Sequence, residues 1–307
     1  MAMAEIVSMK SVGTVRTPRD CFAQSAIYCA ALLVCAAFAW ILGDIARGGM
    51  AHLSLDFVIG SPREAGRAGG IGSILVSTAL VLAIALMAAL PLGWTTAALL
   101  AEYVSAGSRF GGAVRYSLQV LAAVPSIVFG LFGNAFFSIY LGLGFSILSG
   151  GLTLACMLLP ILVSTAESGL RAIPDAHRLS AAALGMSRTS TLFRLLLPIA
   201  APSLAAGLLL GIGRAIAETA ALLFTSGYVD RTPGSLLDSG RTLAVHIFDL
   251  SMNVPGGDAA AYASALVLIA ALLLINMVAM RLATDWQRRK IMAENSNGYS
   301  NIDAPRA

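Results

Sequence analysis

The fold is decided by the stretch IPDAHRLSAAALGMSRTSTLFRLLLP, residues 173–198, which lies between two long apolar runs. Pro174 suits the first turn of a helix, and Asp175 suits the positive end of the helix dipole. Alanines follow, and Gly185 suits the end of a helix. The pattern predicts a short helix, a basic linker and re-entry into an apolar segment near Pro198. Such a helix either docks into a groove of a partner or lies at a membrane surface.

The composition on either side of this stretch is that of an integral membrane protein. Of the 307 residues, 58% are hydrophobic and 12% are charged, about half the charged fraction of a soluble domain. Runs of about 20 apolar residues can cross a bilayer as helices, so the sequence predicts an all-α membrane protein with about six spans. The predicted spans are 23–42, 71–100, 117–141, 149–170, 195–224 and 260–280. The second contains Pro91 and Gly93, so a single tilted helix and a helix pair are both compatible with it.

The basic residues predict the orientation, because Lys and Arg accumulate on the cytoplasmic side. Of the 20 Lys and Arg residues, 14 fall on the side of the N-terminus, 5 fall on the opposite side, and Arg214 lies within a span. Both termini are therefore predicted to be cytoplasmic, and the net charge of +4 reports topology rather than a nucleic-acid partner. The predicted segments are a cytoplasmic tail (1–22), a first transmembrane helix with its outer loop (23–70), a transmembrane core domain (71–282) with a cytoplasmic loop (171–194), and a cytoplasmic tail (283–307).

The sequence offers no cofactor site, metal site or enzyme chemistry. Its four Cys form no CxxC pair and its three His are scattered, so packed thiols and no metal centre are expected. No nucleophile–base arrangement lies at membrane depth, and the 307 residues contain no GxxxxGK[ST] nucleotide-binding motif. We therefore expect a protein without an ATPase site of its own.

Two ionisable residues interrupt the fifth predicted span, in GRAIAETAALLFTSG (213–227). Arg214 and Glu218 are four residues apart, which places them on one face of a continuous helix, and Arg214 lies ~24 Å beyond Pro198. Burying a charge at that depth costs at least ~2.5–3.5 kcal/mol. One interpretation is an ion pair that makes both charges tolerable. The other is a polar path in which Arg214 binds an oxyanion, while Glu218 accepts a hydrogen bond from protonated phosphate and repels sulfate.

The stretch 173–198 also resembles the cytoplasmic coupling motif of ABC-importer permeases, E-A-A-x3-G-x9-I-x-L-P. The Gly, Ile, Leu and Pro positions of this motif are occupied by Gly185, Leu195, Leu197 and Pro198. Its two Ala positions are Ser180 and Ala181, and Leu179 stands where the family usually has Glu. Five further stretches (68–82, 91–103, 123–132, 159–170 and 213–227) resemble the A-type permease subunit of the high-affinity phosphate importer, so the likeness covers roughly 68–285.

The resemblance implies a type-1 ABC importer permease fold with a cytoplasmic coupling helix, in the plasma (inner) membrane of a prokaryote. It implies a lipid-embedded subunit that translocates inorganic phosphate. The implied partners are a dimer of ABC ATPase subunits, a second homologous permease and an extracytoplasmic phosphate-binding protein. The implied substrate-path residues are Arg214, Glu218, Thr219, Glu167 and Ser126. The implied ATPase-coupling residues are Ser180, Ala181, Gly185 and Pro198.

Several alternatives stay open at this point. Many family members have Arg where this chain has Ser164, so another oxyanion (phosphonate, sulfate or molybdate) competes with phosphate. A secondary transporter driven by an ion gradient is a further option, although it predicts more ionisable residues within spans. Ser126 follows Pro125, so a packing or kink role competes with pore lining. Gly207 and Gly211 form a smooth helix face, either within the subunit or against the partner permease.

Overall fold

The computed structural model describes residues 18–105 and 107–300 of the chain. Residues 1–17 and 301–307, which belong to the predicted tails, lie outside the described residues. The first compact unit ends at Arg47 and consists of most of helix α1 (Pro18–Met50), of which Gln24–Met50 is apolar enough to cross a membrane. The second unit, from Gly48 onward, holds the remaining elements. These are α2 (Leu55–Ile59), β1 (Pro62–Arg63), β2 (Ala68–Gly69), α3 (Gly72–Ala98), α4 (Arg109–Ala123), α5 (Ser126–Gly133), α6 (Ile147–Arg171), α7 (Asp175–Ala183), α8 (Arg188–Thr191), α9 (Leu197–Ile216), α10 (Ala220–Leu223), α11 (Leu243–Met252) and α12 (Asp258–Ser300).

Five helices among the described residues are long and apolar enough to span a membrane, and the bent pair α4–α5 gives a sixth candidate. The five are Gln24–Met50, Gly72–Tyr103, Ile147–Arg171, Arg188–Ile216 and Asp258–Val278. The prediction of about six spans is confirmed, and the second span is one continuous helix despite Pro91. The helix-pair alternative for that span is therefore wrong.

The third predicted span is broken rather than continuous. α4 and α5 meet at 101°, and α5 continues as a π-helix over Asn134–Tyr140. At the bend, Val124 has an extended backbone (ψ 130°) and Pro125 precedes the first turn of α5. The cause is local, because proline disfavours a helical conformation at the preceding residue and has no N–H to donate.

α6 forms the centre of the second unit, packed between α3 and α9. Gly207 of α9 lies directly against α6: an added Cβ there would overlap the hydroxyl of Thr165 and lie 2.9 Å from its Cβ. Gly211, one turn further along, lies over Leu158 and Leu162. Of the two roles predicted for this glycine face, packing within the subunit is the one that the structure shows.

The segment 225–258, which connects the fifth and sixth predicted spans, folds into a cap over one end of the helices of the second unit. Its helix α11 buries Leu243 and Leu250 against Ile71 and Ile74 at the start of α3 and against the first turns of α12. β1 and β2 form a two-stranded antiparallel hairpin beside it, with Pro62 paired to Gly69. The cap thus packs on the start of α3 and α12, and its backbone hydrogen-bonds to the first turn of α6.

Candidate functional site

The predicted projecting helix is α7, and its ends follow the predicted pattern. Pro174 is its N-cap residue, one position before the first turn to which the sequence assigned it. Gly185 adopts φ +73°, a left-handed conformation that glycine takes without strain. Its N–H donates to the carbonyl of Ala182 at 3.0 Å, and the N–H of Met186 donates to that of Ala181 at 3.0 Å. This is a Schellman arrangement, so the predicted glycine end of the helix is confirmed.

α7 presents apolar side chains outward. Leu179 is 70% exposed and Leu184 is 80% exposed, and Ser180 is also exposed. Ala181 is buried, at 2%, because it faces the rest of the subunit. Exposed leucines on a short projecting helix form an apolar knob of the kind that inserts into a partner's groove. Leu179, where the resemblance expects Glu, gives this knob apolar rather than ionic character.

A long-range ion pair that the sequence analysis did not identify holds α7 in place. The guanidinium of Arg178 donates from Nη2 to Glu102 Oε1 at 2.6 Å and from Nε to Glu102 Oε2 at 3.0 Å. It also donates to the carbonyls of Leu170 (2.9 Å) and Ile173 (2.8 Å) at the end of α6. The carboxylate of Glu102 raises the pKa of Arg178 above its ordinary value. The only indication of this pair in the sequence is Glu102, an acidic residue at the end of an apolar run.

Pro198 lies further inside a helix than predicted. The helical segment begins at Arg188 and passes through a π turn at Leu192–Leu196 before α9. Pro198 is half-buried in the first turn of α9. A proline lacks the N–H that an α-helix requires, and a π turn just before it is one way to accommodate that loss. The helix thus starts about ten residues before Pro198, at Arg188, and entry into the membrane near Pro198 stays a prediction.

The predicted pairing of Arg214 with Glu218 on one helix face is also wrong. α9 ends at Ile216, so Glu218 has already left the helix that carries Arg214. The carboxylate of Glu218 accepts a hydrogen bond from the N–H of Ala221 at 3.2 Å, at the start of α10. No ion pair joins Arg214 to a carboxylate among the residues that the structure describes. A backbone N–H at a helix start satisfies the carboxylate in place of the guanidinium.

Arg214 instead lies exposed on a surface formed by α4, α5, α6 and α9. It lines a recess of about 240 Å³, the Arg214 recess, together with Phe129, Met157, Pro160, Ile161 and Ser164. Ser164 is exposed and lies in the middle of α6. The guanidinium of Arg214 has no hydrogen-bond partner among the described residues, so it can bind an oxyanion through two parallel hydrogen bonds.

Glu167 is more deeply buried than Arg214 and lies near the α7 end of α6. It is 7% exposed, and its Oε1 accepts from Arg115 Nε and Arg171 Nε, each at 2.8 Å. Both guanidinium groups also donate from Nη2 to the carbonyl of Leu100, at 3.3 Å for Arg115 and 2.7 Å for Arg171. In the sequence, Arg115 and Arg171 contribute only to the predicted orientation, because their spacing along the chain does not reveal a shared partner.

Glu167 and Arg115 line a second recess of about 200 Å³, the Arg115 recess, with Gln119, Pro160, Ser164 and Ser168. Of the five predicted path residues, Arg214 lines the first recess and Glu167 the second. Glu218, Thr219 and Ser126 line neither. Thr219 is the half-buried N-cap residue of α10, and half-buried Ser126 begins α5 at the bend. The structure thus brings together only part of the predicted set.

A second buried ionic cluster, within the cap, was also missed. Arg241 Nη1 lies 3.0 Å from Asp249 Oδ2, and Arg241 Nε donates to the carbonyl of Tyr228 at 2.8 Å. The fully buried His246 lies 3.4 Å from Arg241 Nη1 through its Nδ1. Burial, and then the charge of Arg241, lower the pKa of His246 to about 4, although Asp249 and Asp230 act in the opposite direction. This cluster ties α11 to the preceding segment of the cap.

Comparison with known proteins assigns the chain to a family. The family model of the binding-protein-dependent transport system inner membrane component matches residues 89–291, a range that contains α7, both recesses and the cap. This chain belongs to that family. It is a membrane-spanning permease subunit of the ABC importer type, a class that generally lacks an ATPase site of its own.

Relatives of known name place the chain among permeases. It is 31% identical over 271 residues to the probable ABC transporter permease protein YqgI of Bacillus subtilis (strain 168), covering 83% of this chain and 92% of that protein. It is 33% identical over 228 residues to the phosphate transport system permease protein PstA of Mycobacterium leprae (strain TN), covering 72% and 74%. It is 37% identical over 161 residues to PstA 1 of Mycobacterium tuberculosis (strain ATCC 25618 / H37Rv), where the match spans about half of each chain, 52% and 52%.

Solved structures agree on the fold. A chain of the MetNI methionine ABC transporter superposes with a TM-score of 0.54 at 16% identity, covering 69% of this chain and 96% of that one. A chain of a bacterial ABC transporter involved in alginate import gives a TM-score of 0.54 at 16% identity, covering 86% and 98%. The fold is therefore that of a type-1 ABC importer permease, as predicted.

Proposed function

We propose that this chain is the permease subunit of an ATP-driven importer that translocates inorganic phosphate across the plasma membrane. The observation that carries the proposal is Arg214, a guanidinium in the last turn of α9 that lines the Arg214 recess and has no carboxylate partner among the described residues. A cation within a span is costly, by about 2.5–3.5 kcal/mol at the centre of a bilayer, and no ion pair with a described residue offsets that cost here. A passing oxyanion would, and the named relatives PstA and PstA 1 are phosphate permeases.

The geometry suits transport rather than tight binding. A path must release what it binds, so moderate attraction is favourable. Arg214 stands among apolar side chains with one neutral hydroxyl, Ser164, beside it. In this proposal Glu218 and Thr219 lie just beyond Arg214, where α9 ends, and moderate the potential that the anion meets. Ser126 acts at the bend between α4 and α5, and Glu167 acts at the other end of the path.

The proposed energy source is a pair of ABC ATPase subunits that receive α7. Leu179 and Leu184 form the apolar knob, Ala181 packs it against the subunit, and Gly185 ends it. Ser180 lies on the exposed side of the helix, and Pro198 stands at the base of the connection. The absence of a GxxxxGK[ST] motif from the 307 residues supports hydrolysis by a partner chain.

The remaining partners complete the proposed assembly. A second, homologous permease would cover the exposed surface that carries Arg214, so that the two chains enclose the path. An extracytoplasmic phosphate-binding protein would deliver the anion at the capped end. We place α7 and both termini in the cytoplasm of a prokaryote, since 14 of the 20 basic residues lie on that predicted side.

Labelled phosphate uptake tests the proposal. The host lacks its own high-affinity phosphate importer and expresses this chain with its partner subunits. Wild type is compared with Arg214→Gln, which removes the charge, and with Arg214→Lys, which keeps the charge but not the paired donors. We expect phosphate uptake that excess sulfate does not inhibit, a loss of uptake in assembled Arg214→Gln, and partial activity in Arg214→Lys.

Two results would contradict the proposal in different ways. Full uptake in Arg214→Gln would make Arg214 a structural residue. Uptake of phosphonate, sulfate or molybdate without phosphate would leave the permease role intact and replace the substrate. Gly213→Ala is the matched control for changes at this depth, because an added methyl group at Gly213 meets nothing within 4 Å in the subunit.

A further inference from the structure

We propose that Arg115 forms a second anion-binding station of the path, in the Arg115 recess near α7. The inference rests on the proposed function for the nature of the anion, but not for the geometry. Nothing in the sequence marked Arg115 for this role, since it was one of 14 basic residues on the predicted inner side.

The first argument is the charge balance around Glu167. One carboxylate oxygen of Glu167 accepts hydrogen bonds from two guanidinium groups, those of Arg115 and Arg171. The cluster therefore keeps a net charge of +1. Arg171 alone would neutralise Glu167, and it makes the shorter hydrogen bond to the carbonyl of Leu100, 2.7 Å against 3.3 Å. A second cation thus exceeds what neutralising one carboxylate requires.

The second argument concerns the N–H donors that Arg115 leaves unused. Arg115 uses Nε for Glu167 and Nη2 for the Leu100 carbonyl, and its Nη1 donates to no described residue. The side chain of Arg115 is 28% exposed, and Arg115 is one of the residues that line the recess. Gln119, one turn along α4, and Ser164 and Ser168, one turn apart on α6, add neutral polar groups to the same recess.

The third argument is continuity with the Arg214 recess. Ala122, Pro160 and Ser164 line both recesses, so an anion that leaves Arg214 passes Ser164 and meets Arg115. A volume of about 200 Å³ holds a tetrahedral oxyanion with some of its water, since each water occupies about 30 Å³. Two binding sites of moderate affinity in series allow the anion to move on, whereas a single site of high affinity would retain it. The negative charge of Glu167 keeps the affinity of the second site for the anion moderate.

Substrate protection of a cysteine reporter tests this station directly. The complete transporter is placed in lipid nanodiscs, its native cysteines in this chain are replaced by alanine, and Ser168→Cys supplies a nearly isosteric reporter in the Arg115 recess. An uncharged maleimide reads the accessibility of that thiol, so the charge of Arg115 does not alter the reagent's approach. Inorganic phosphate at about ten times its Kd should slow the reaction roughly tenfold.

Two variants with opposite expected effects distinguish anion binding by Arg115 from a role in which the cluster only holds α4 to α6. Arg115→Gln should abolish protection by phosphate, while Arg115→Lys should retain part of it. Glu167→Gln raises the net charge of the cluster from +1 to +2, so protection should appear at lower phosphate concentrations. If Arg115→Gln and Glu167→Gln both abolish protection, the cluster only holds α4 to α6 and the station is refuted.

The failure of this proposal is distinguishable from failure of the proposed function. Protection should persist when Arg214→Gln is added, since the two recesses have different cations. If phosphate is transported but no oxyanion protects the reporter, the station is wrong and the function stands. If another oxyanion protects while phosphate neither protects nor enters, the station stands and the proposed substrate is wrong.

Discussion

Replacing Arg178 by Gln tests how α7 is coupled to the helices that line the two recesses. Arg178 connects α7 to Glu102, at the end of the second span, through two hydrogen bonds of 2.6 and 3.0 Å. It connects α7 to α6 through the carbonyls of Leu170 and Ile173. The substitution removes the charge and leaves the Glu102 carboxylate, 12% exposed, without its partner.

The structure sets the size of the effect. Removing one member of a buried ion pair costs about 3–5 kcal/mol. The Arg178 side chain is 24% exposed, so water screens part of this energy, and we expect a loss of about 2 kcal/mol. Since 1.4 kcal/mol corresponds to a factor of ten, the equilibrium between held and released α7 should shift by roughly thirtyfold.

Hydrogen exchange of the α7 amides measures this shift, and substrate uptake measures its consequence. Arg178→Gln should lower protection in α7 by roughly thirtyfold, the same free-energy loss of about 2 kcal/mol, with reduced uptake and retained assembly. Asp175→Asn is the matched control. Asp175 is 89% exposed and contacts the same guanidinium at 3.3 Å, so its loss should change little. Unchanged exchange in Arg178→Gln, or an equal effect of Asp175→Asn, would refute the reasoning.

Two further predictions concern stability. Gly207→Ala forces a methyl group against Thr165 and should lower the free energy of unfolding by about 2 kcal/mol. Gly213→Ala on the same helix should be neutral or slightly stabilising. Thermal unfolding in detergent compares the two variants, and equal effects would contradict the packing of Gly207 against Thr165. His246, with its pKa lowered to about 4 from an unfolded value of about 6.5, binds a proton more readily in the unfolded chain. Stability should therefore fall as the pH drops from 6.5 toward 4, by about 2 kcal/mol at pH 5. His246→Gln should lose this part of the pH dependence, and an unchanged profile in that variant would show that another group causes it.

Short-range patterns explain what the sequence predicts correctly. Asp175 and Gly185 mark the ends of α7 because caps and left-handed glycines act within one helical turn. The spans follow from apolar runs of sufficient length. The glycine face at Gly207 is also a local signal, although the sequence cannot identify Thr165 as the residue opposite to it.

The incorrect predictions for the candidate site concern features that no short-range pattern encodes. Arg214 and Glu218 pair only if their helix continues, and the apolar sequence ALLFTSG gives no strong signal that α9 ends at Ile216. The pairs of Arg178 with Glu102 and of Arg115 with Glu167 join residues 76 and 52 positions apart. No local period encodes such contacts, because they depend on how α3, α4 and α6 pack.

The distribution of these ion pairs fits our proposal of a path formed between two chains. At the α7 end, Glu102 and Glu167 each receive guanidinium donors from a distant part of the chain. Arg214, in contrast, faces outward from the subunit without a carboxylate among the described residues. A guanidinium left against lipid is costly, by about 2.5–3.5 kcal/mol at the centre of a bilayer. In the assembly that we propose, a second permease covers this surface and encloses Arg214 in a polar path, so that the cation would favour assembly as well as attract the anion.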